Sequence, residues 1–597
     1  MTSSPTRADV WRTALIERGG LLGLATLVLY VWLAPAHIVD GDNAEFSTLG
    51  LIGGTAHPSG YPLYLIWLRA MQWLPGSTPA HTAALANAII GAGAIVMLQA
   101  ACRAWGARPL AATVTAAMFA GAPIAIRIGT RAEVFGLNCL VVATVLWLAA
   151  VGGPLRGGWR ALALGLVAGL GMSNHLTCTL VTPVGVLGVV RAAREGRAPA
   201  ALGLAVLGLV LGVTPYLYLF VTPDTPLSWG TVRSLDDLYG MVTRRDYGGA
   251  GSFLPTAKVV PASAQLGALA GTLGRTWLWA PGVLGLVTLA WRSVRRADCP
   301  ADETRWAWGA LAVSWLLAGP LVSLKFNIEP VGLGLYVCQR FHVLPALLLA
   351  VPIAVGLGAL APLVRRVRVT ARTGTALAAT LGLVVTTGLS LPHVRRMHTP
   401  AVEQYARNVL ATLPPDAVLF IGQDDEYFGT SYVQWALGVR QDVTLVAWQL
   451  TPMMWYGRRL TARGVYQPEG QGPGIIRVAT YLLAHGRPVF VGRTRDAASE
   501  TLLDALPGYQ LGTLIKVLPP GTLIPPLPDV LAENKQVFER FQLGYPRPGD
   551  DDEFATAIHL RYESAWLLLS RKLEAAGLSE DAAFARAVAA ELGPVRR

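Results

Sequence analysis

Charged residues are scarce in this chain, 14% of 597 positions, while 53% are hydrophobic. That shortage excludes an ordinary soluble protein, because one soluble core cannot use so much apolar material. Cysteine is scarce too: there are five. Cys102, Cys139 and Cys178 lie in or beside apolar segments, Cys299 in a cytoplasmic loop and Cys338 in an external one, so neither a disulfide framework nor a CxxC metal site can be assembled. Bases exceed acids, with a net charge of +12, but they are not gathered on one soluble face with aromatics among them. That pattern excludes nucleic acid as a partner. After residue 392 long apolar runs are missing altogether.

Before residue 392 they dominate. Runs of roughly 18 to 22 mainly apolar residues can each cross a hydrocarbon core of about 30 Å. Spans are predicted near 19–36, 81–102, 109–128, 134–151, 160–173, 176–190, 200–221, 274–292, 306–324, 342–362 and 373–392. That makes about eleven transmembrane helices. In the 160–190 stretch, Ser173, Asn174 and His175 interrupt the apolar run, which reads as two short helices meeting at a polar turn. The first span lacks a cleavage site followed by a soluble mature domain, so it is expected to stay as an anchor.

Orientation follows from the arginines, since cytoplasmic loops collect positive charge. Arg7, Arg12 and Arg18 precede the first span. Arg103 with Arg108, Arg156 with Arg160, Arg191 with Arg194 and Arg197, Arg292 with Arg295 and Arg296, and Arg365 with Arg366 and Arg368 fall in alternate loops. The N-terminus is then cytoplasmic. The loops at 37–80 and 222–273 and everything after 392 are external, in a bacterial inner or cell membrane.

The fold class is thus a multi-pass α-helical membrane protein with a C-terminal soluble α/β domain and a helical tail. Residues 1–392 form the membrane domain, 393–530 the external α/β domain and 531–597 the tail. Short β-branched runs at 417–422, 443–448 and 488–492 alternate with helical stretches such as 400–412 and 475–485. The proline-rich 518–528 reads as an extended linker, and 553–592 as amphipathic helices. A tetratricopeptide-like fragment there would lack a second copy of its period.

Ionisable groups near membrane depth are expensive, so function is their default reading. VDGDNAEF at 39–46 carries Asp40, Asp42 and Glu45. Three carboxylates within six residues repel one another, which suits a general base or a metal clamp; the bland alternative is a hydrated loop. The following segment, 55–74, holds His57, Tyr61 and Arg69 and reads as an interfacial helix framing a groove. Arg127, Arg131 and Glu133 sit in a short external turn, where arginine is disfavoured unless it binds something such as a lipid-linked phosphate. The bland alternative is an Arg131–Glu133 ion pair. Asn174 and His175 at the helix break could equally be satisfied buried residues. The loop 226–249, with Arg244, could stack sugars and grip anions or serve as an interface belt. Arg340, at the external mouth of a span, could bind or simply snorkel.

The motifs DNAEF, GGTAHPSGYPLY, RAEVFGLN, SNHLT, LSWGTVRSLDDLYGMVTRRDYG, QRFHVLPA and GVRQDV occur in an order and spacing that resemble the protein O-mannosyltransferase-like family, which groups with the GT-C glycosyltransferases. The resemblance covers roughly residues 20–460. It implies an enzyme that passes a sugar from a polyprenyl-phosphate donor to an acceptor hydroxyl on the external face. The family's DSGEF-type motif falls on Asp42 to Phe46, which makes Asp42 the implied base and Glu45 its partner; Asp40 lies outside the match. HPxGYPLY falls on His57 to Tyr64, the AEVY-type motif on Ala132 to Phe135, the NH pair on Asn174 and His175, and the RY…LPA-type motif on Arg340 to Ala346. Ala44 replaces a glycine, Phe135 and Phe341 replace tyrosines, and Met241 stands where members often have histidine. These departures bear on the acceptor.

The resemblance implies catalysis by Asp42 and Glu45 and substrate binding by His57, Tyr61, Arg131, Glu133, Asn174, His175, Arg244 and Arg340. No cofactor is required, since the donor arrives on a lipid, although DGD at 40–42 spells a pattern in which a divalent cation could bridge Asp40 and Asp42. The implied partners are the polyprenyl-phosphate sugar, a protein or glycan acceptor and the bilayer. The main alternative is a lipid-linked sugar transporter or flippase, for which inverted repeats with matching broken spans are expected; none is evident. A noncatalytic scaffold would leave the acid cluster unexplained.

Overall fold

The computed structural model describes residues 19–39, 41–247, 259–296, 303–360, 371–471, 473–492 and 497–596. Arg7, Arg12, Arg18, Asp40, Cys299, Arg365, Arg366 and Arg368 lie outside them. Among the described residues, five helices are long and apolar enough to cross a membrane: Pro79–Ala104, Leu176–Glu195, Ala198–Val221, Arg305–Lys325 and Leu333–Leu360. Pro109–Ala120 and Pro123–Gly129 make a sixth if their 69° bend lies within one span. Pro123 has no N–H to continue the preceding helix, so the chain turns there. Other expected spans fall on shorter apolar helices: Gly20–Trp32 has 13 residues, Val134–Ala149 16, Gly157–Met172 16 and Ala280–Val294 15.

The break inside 160–190 is present. Gly157–Met172 stops at Ser173, and a 3₁₀ turn, Leu176–Val181, leads into Thr182–Glu195. Gly165 and Gly169 face Gly208 and Gly212 of the Ala198–Gly212 helix so closely that a Cβ at any of them would collide with the partner's backbone. This is the small-residue packing of helices in lipid, where backbones approach because no large side chain intervenes. Ser173 Oγ closes the end of the seam on the Gly212 carbonyl at 3.1 Å.

The two ends of the bundle differ in charge. The Val134–Ala149 helix starts beside Glu133 and ends where Arg191 donates to the Ala149 carbonyl. Arg191 there pairs with Glu303 at 2.5 Å, and Arg160 with Glu195 at 2.9 Å. At the opposite end the acid-bearing segment meets the C-terminal half of the chain. The expectation of an acidic surface loop is corrected here: Asp42–Ile52 is a helix, and residues 43–50 are buried. Gly41, at φ 73°, turns the chain into it, and Asp42 and Glu45 in its first turn suit the positive end of the helix dipole. The expected interfacial helix is Pro62–Ala70, with Pro62 at its first position.

The C-terminal half contains a five-stranded mixed sheet of order β2-β1-β3-β5-β4. The strands are β1 (Val418–Ile421), β2 (Thr444–Ala447), β3 (Val489–Gly492), β4 (Gly508–Leu511) and β5 (Leu514–Val517). β1 pairs in parallel with β2 and β3, and β5 runs antiparallel to β3 and β4. The first three strands match the β-branched runs; the β4–β5 hairpin was not expected from the sequence. The Leu527–Glu539 helix crosses residue 530 and is tied to the sheet by Asn534, which accepts from Gly512 N–H at 2.9 Å and donates to the Gln510 carbonyl. Glu553–Ala575 and Ser579–Leu592 follow as a packed pair. The domain docks through its Asp424–Trp435 helix, which lies on Asp42–Ile52 while Tyr432 Oη accepts from Ala80 N–H at 3.3 Å.

Candidate active site

Asp42, on the first turn of its helix, is a quarter exposed, and its Oδ2 accepts from Arg340 Nη1 at 2.8 Å. Arg340 belongs to the Leu333–Leu360 helix, and the same Nη1 lies 3.6 Å from Glu133 Oε1. One turn before Arg340, Tyr336 presents its ring to three guanidiniums: Arg127 at 4.9 Å, Arg131 at 5.1 Å and Arg340 at 5.6 Å from the centroid. Arg131 is fully buried and donates through Nε to the Arg127 carbonyl at 3.0 Å. Glu133 Oε2 and Arg340 Nε are buried without a hydrogen-bond partner among the described residues. Such orphaned polar atoms are rare outside sites that bind something.

Beside this cluster is a second arrangement, linked by hydrogen bonds. Glu45 is buried completely; its Oε1 accepts from His57 N–H at 2.9 Å and its Oε2 lies 2.5 Å from His57 Nδ1. A carboxylate accepts, so the imidazole carries its proton on Nδ1, and Nε2 is left to accept from Tyr61 Oη–H at 3.1 Å. Tyr61 holds a left-handed φ of 46° at the start of its helix and stacks on His175 with ring centroids 5.9 Å apart. His175 Nδ1 accepts from Thr177 N–H at 3.2 Å, which leaves Nε2–H as its donor. Phe135 and Phe341 wall the other side of His175, at 4.7 and 6.2 Å between ring centroids.

Burial opposes ionisation of Asp42, but the charge and hydrogen bond of Arg340 outweigh it and hold its carboxyl below the usual range. Glu133 goes the other way: burial raises it, Asp42 adds to the rise and Arg340 resists it. His175 is pushed down to about 3 by burial, with Arg244 and Arg340 adding to the effect, so it is a neutral hydrogen-bonding group.

The sequence-derived residues therefore sort into three groups. Asp42, Glu45, His57, Tyr61, Arg131, Glu133, His175 and Arg340 converge on one site. Asn174 is buried and donates to the Val134 carbonyl at 3.0 Å, which ties the helix break to the Glu133 turn. Arg244 ends the Leu235–Val242 segment with a φ of 59° and reaches the site through its charge. Arg127, grouped with Arg131 by sequence, stays over the Tyr336 ring and also pairs with Glu553 of the C-terminal tail at 2.5 Å. Tyr336 and Glu553 were missed. Tyr336 had a signal, its place one helical turn before Arg340; Glu553 had none.

Asp42, Glu45 and His57 each offer a ligand atom within 4.8 Å of the others. Two carboxylates and an imidazole form an acceptable donor set for a divalent cation, but a cation would have to displace both the Arg340 pair and the Glu45–His57 hydrogen bond. Asp40, the other acid considered for a cation, lies outside the described residues.

A cavity of about 1010 Å³ adjoins the guanidinium cluster. Arg127, Tyr336, Gln339 and His393 line its inner end, and the exposed rim mixes Trp279 and Leu389 with Asp550 and Asp551.

Residues 42–197 match the family model described as the protein O-mannosyl-transferase TMEM260 N-terminal domain. The chain is 24% identical over 464 residues to protein O-mannosyl-transferase TMEM260 of Mus musculus, a match covering 75% of this chain and 65% of that protein. It is 23% identical over 249 residues to protein O-mannosyl-transferase tmem260 of Dictyostelium discoideum, covering 38% and 30%. The chain thus spans less than two thirds of the length of these curated relatives. Among solved structures, ArnT from Cupriavidus metallidurans in the apo state shares the fold at a TM-score of 0.51 and 14% identity, over 86% of this chain and 98% of that one. ArnT bound to undecaprenyl phosphate matches at the same TM-score and identity, over 85% and 99%. In sequence, residues 42–197 are thus similar to the N-terminal domain of the TMEM260-like protein O-mannosyltransferases, and in fold the chain is ArnT-like.

Proposed function

We propose that this protein is a GT-C type membrane glycosyltransferase that transfers a sugar, mannose by the names of its relatives, from a polyprenyl-phosphate donor to a hydroxyl on the external face. The acceptor hydroxyl is a protein Ser or Thr; a surface glycan would offer the same chemistry. The observation that carries the reading is the Asp42 carboxylate held 2.8 Å from the Arg340 guanidinium, which shares the Tyr336 ring with Arg127 and Arg131. Undecaprenyl phosphate on ArnT supports the donor class, and the relatives' names support the sugar and a protein acceptor.

The acceptor oxygen attacks the anomeric carbon while its proton passes to Asp42, and the C1–O bond to phosphate breaks with its electron pair leaving on the polyprenyl phosphate. One displacement inverts the anomeric configuration. Arg340 and Arg131 take up the charge gathering on the leaving group. When the phosphate engages Arg340, the guanidinium's hold on Asp42 is shared, and Asp42 becomes a better base at the moment one is needed. Glu45 fixes His57, which with Tyr61 and neutral His175 orients the donor by hydrogen bonds. No metal is required in this scheme. The membrane domain to residue 392 crosses the bilayer about eleven times, the shorter apolar helices included. Its N-terminus is cytoplasmic and the C-terminal domain external.

Membranes supplied with labelled polyprenyl-phosphate mannose provide the test. Asp42→Asn keeps the shape and removes the base, so transfer should fall by at least about 100-fold. Equal transfer by the variant and wild type would remove Asp42 as base; no transfer by wild type from any polyprenyl-phosphate sugar would overturn the enzyme reading.

A further inference from the structure

A second groove, of about 940 Å³, lies between the external segment 224–246 and the α/β domain. Its walls are held together from both sides. Arg459 of the Met454–Ala462 helix pairs with Asp224 at 2.5 Å and donates to the Pro226 carbonyl at 3.3 Å, while its guanidinium lies over the Trp455 ring. Trp229 and Trp455 face each other with ring centroids 6.1 Å apart.

This groove adjoins the active site through one shared wall, Trp229. Trp229 is anchored by its backbone N–H to the Thr55 carbonyl at 2.7 Å, two residues before His57, and its ring meets the His57 imidazole edge-on at 6.4 Å. Met241, also on the groove wall, packs where a Cβ on Gly60 would lie 3.3 Å from its Cγ. The Trp229 ring stands between the groove and His57.

The lining indicates which class of ligand fits. Trp229, Trp435, Trp455, Met241, Met453 and Met454 contribute, and Met454 is 83% exposed. Tryptophan, methionine and arginine are the residues enriched at the cores of protein interfaces, and methionine adapts to varied side chains. A carbohydrate site needs free carboxylates or amides for sugar hydroxyls, but two of the acids here are already engaged. Asp224 is taken by Arg459, and Asp237 caps its own helix by accepting from Ser234 and Arg233 N–H. Leu445 of β2, an edge strand of the sheet, forms part of the wall, which suits an extended chain.

We infer that this groove binds the acceptor as an extended polypeptide and presents its hydroxyl side chain past Trp229 to the catalytic acid. The inference rests on the proposed transfer to a protein hydroxyl and adds where the acceptor chain lies and that it lies extended.

The experiment uses the full-length purified chain and a fluorescent synthetic peptide of alternating Val and Thr. Binding is read by anisotropy, and transfer from labelled polyprenyl-phosphate mannose is read separately. Trp455→Ala should weaken peptide binding and raise the peptide KM by at least about tenfold. Met454→Glu tests the same wall at a position exposed enough to leave folding intact, and should do likewise. Transfer to octyl mannoside, a sugar acceptor, should not rise in KM with them. Peptide binding and KM equal to wild type in both variants would overturn the groove assignment, as would a wild-type chain that binds no peptide. A rise in KM confined to octyl mannoside would overturn the polypeptide class. A wild-type chain that binds the peptide in a groove-dependent way yet cleaves no donor would instead sink the glycosyltransferase reading and leave the binding site standing.

Discussion

Arg340 does two things to Asp42: it fixes the carboxylate in place and it lowers its proton affinity. The sign of the resulting pH dependence follows. A carboxylate held low stays ionised at neutral pH, so transfer should remain flat on acidification and decline only below the ordinary carboxylate value of about 4. With Arg340→Gln the guanidinium is gone and burial dominates, so the acid limb should move to higher pH. The diagnostic is the position of that limb in a pH–rate profile, not its height, because the variant also loses phosphate contact. A limb unmoved by the substitution would mean that Arg340 does not control the base.

At the scale of elements, the glycine seam between Gly157–Met172 and Ala198–Gly212 determines where His175 sits. The seam sets the end of the first helix, Ser173 latches it to Gly212, and Asn174 ties the break to Val134. Gly208→Val would place a branched side chain against the Leu162 carbonyl and must pry the helices apart. We expect it to cost about 2 kcal/mol or more, visible as a lower melting midpoint in detergent. Transfer should fall with it although residue 208 touches nothing in the site. Gly203→Ala on the same helix has open space around it and should be nearly silent in both measurements.

For the whole molecule the question is what keeps the C-terminal domain seated. Arg127, 4% exposed at its side chain, reaches the Glu553–Ala575 helix through Glu553, and Arg396 adds contacts to Asp551 and Asp552 at 3.1 Å. Removing one partner of a buried pair strands the other charge, so Glu553→Met alone should destabilise by about 3 kcal/mol or more. Arg127→Met/Glu553→Met together should cost less than either single change. Thermal melts of the four proteins measure this cycle; strict additivity would show that the pair does not couple the two halves.

Reading the chain alone determined what depends on neighbours in sequence. Apolar runs revealed the membrane half, the Ser173–His175 interruption marked the helix break, and β-branched runs located β1 to β3, because hydropathy and periodicity are local properties. The motifs also picked out Asp42, Glu45, His57 and Arg340 individually. Only the tertiary structure decided how they pair. Asp42 and Arg340 are 298 positions apart and no spacing rule connects them. The acid segment became a buried helix because the Asp424–Trp435 helix covers it, and Arg127 is paired by a tail residue more than 400 positions away. The β4–β5 hairpin escaped notice because its strands are held by β3 and by Asn534 more than by their own pattern. Chemistry was legible wherever a residue's type was unusual for its depth. Partnership was not, because it arises from contacts between distant segments that form only when the chain has folded.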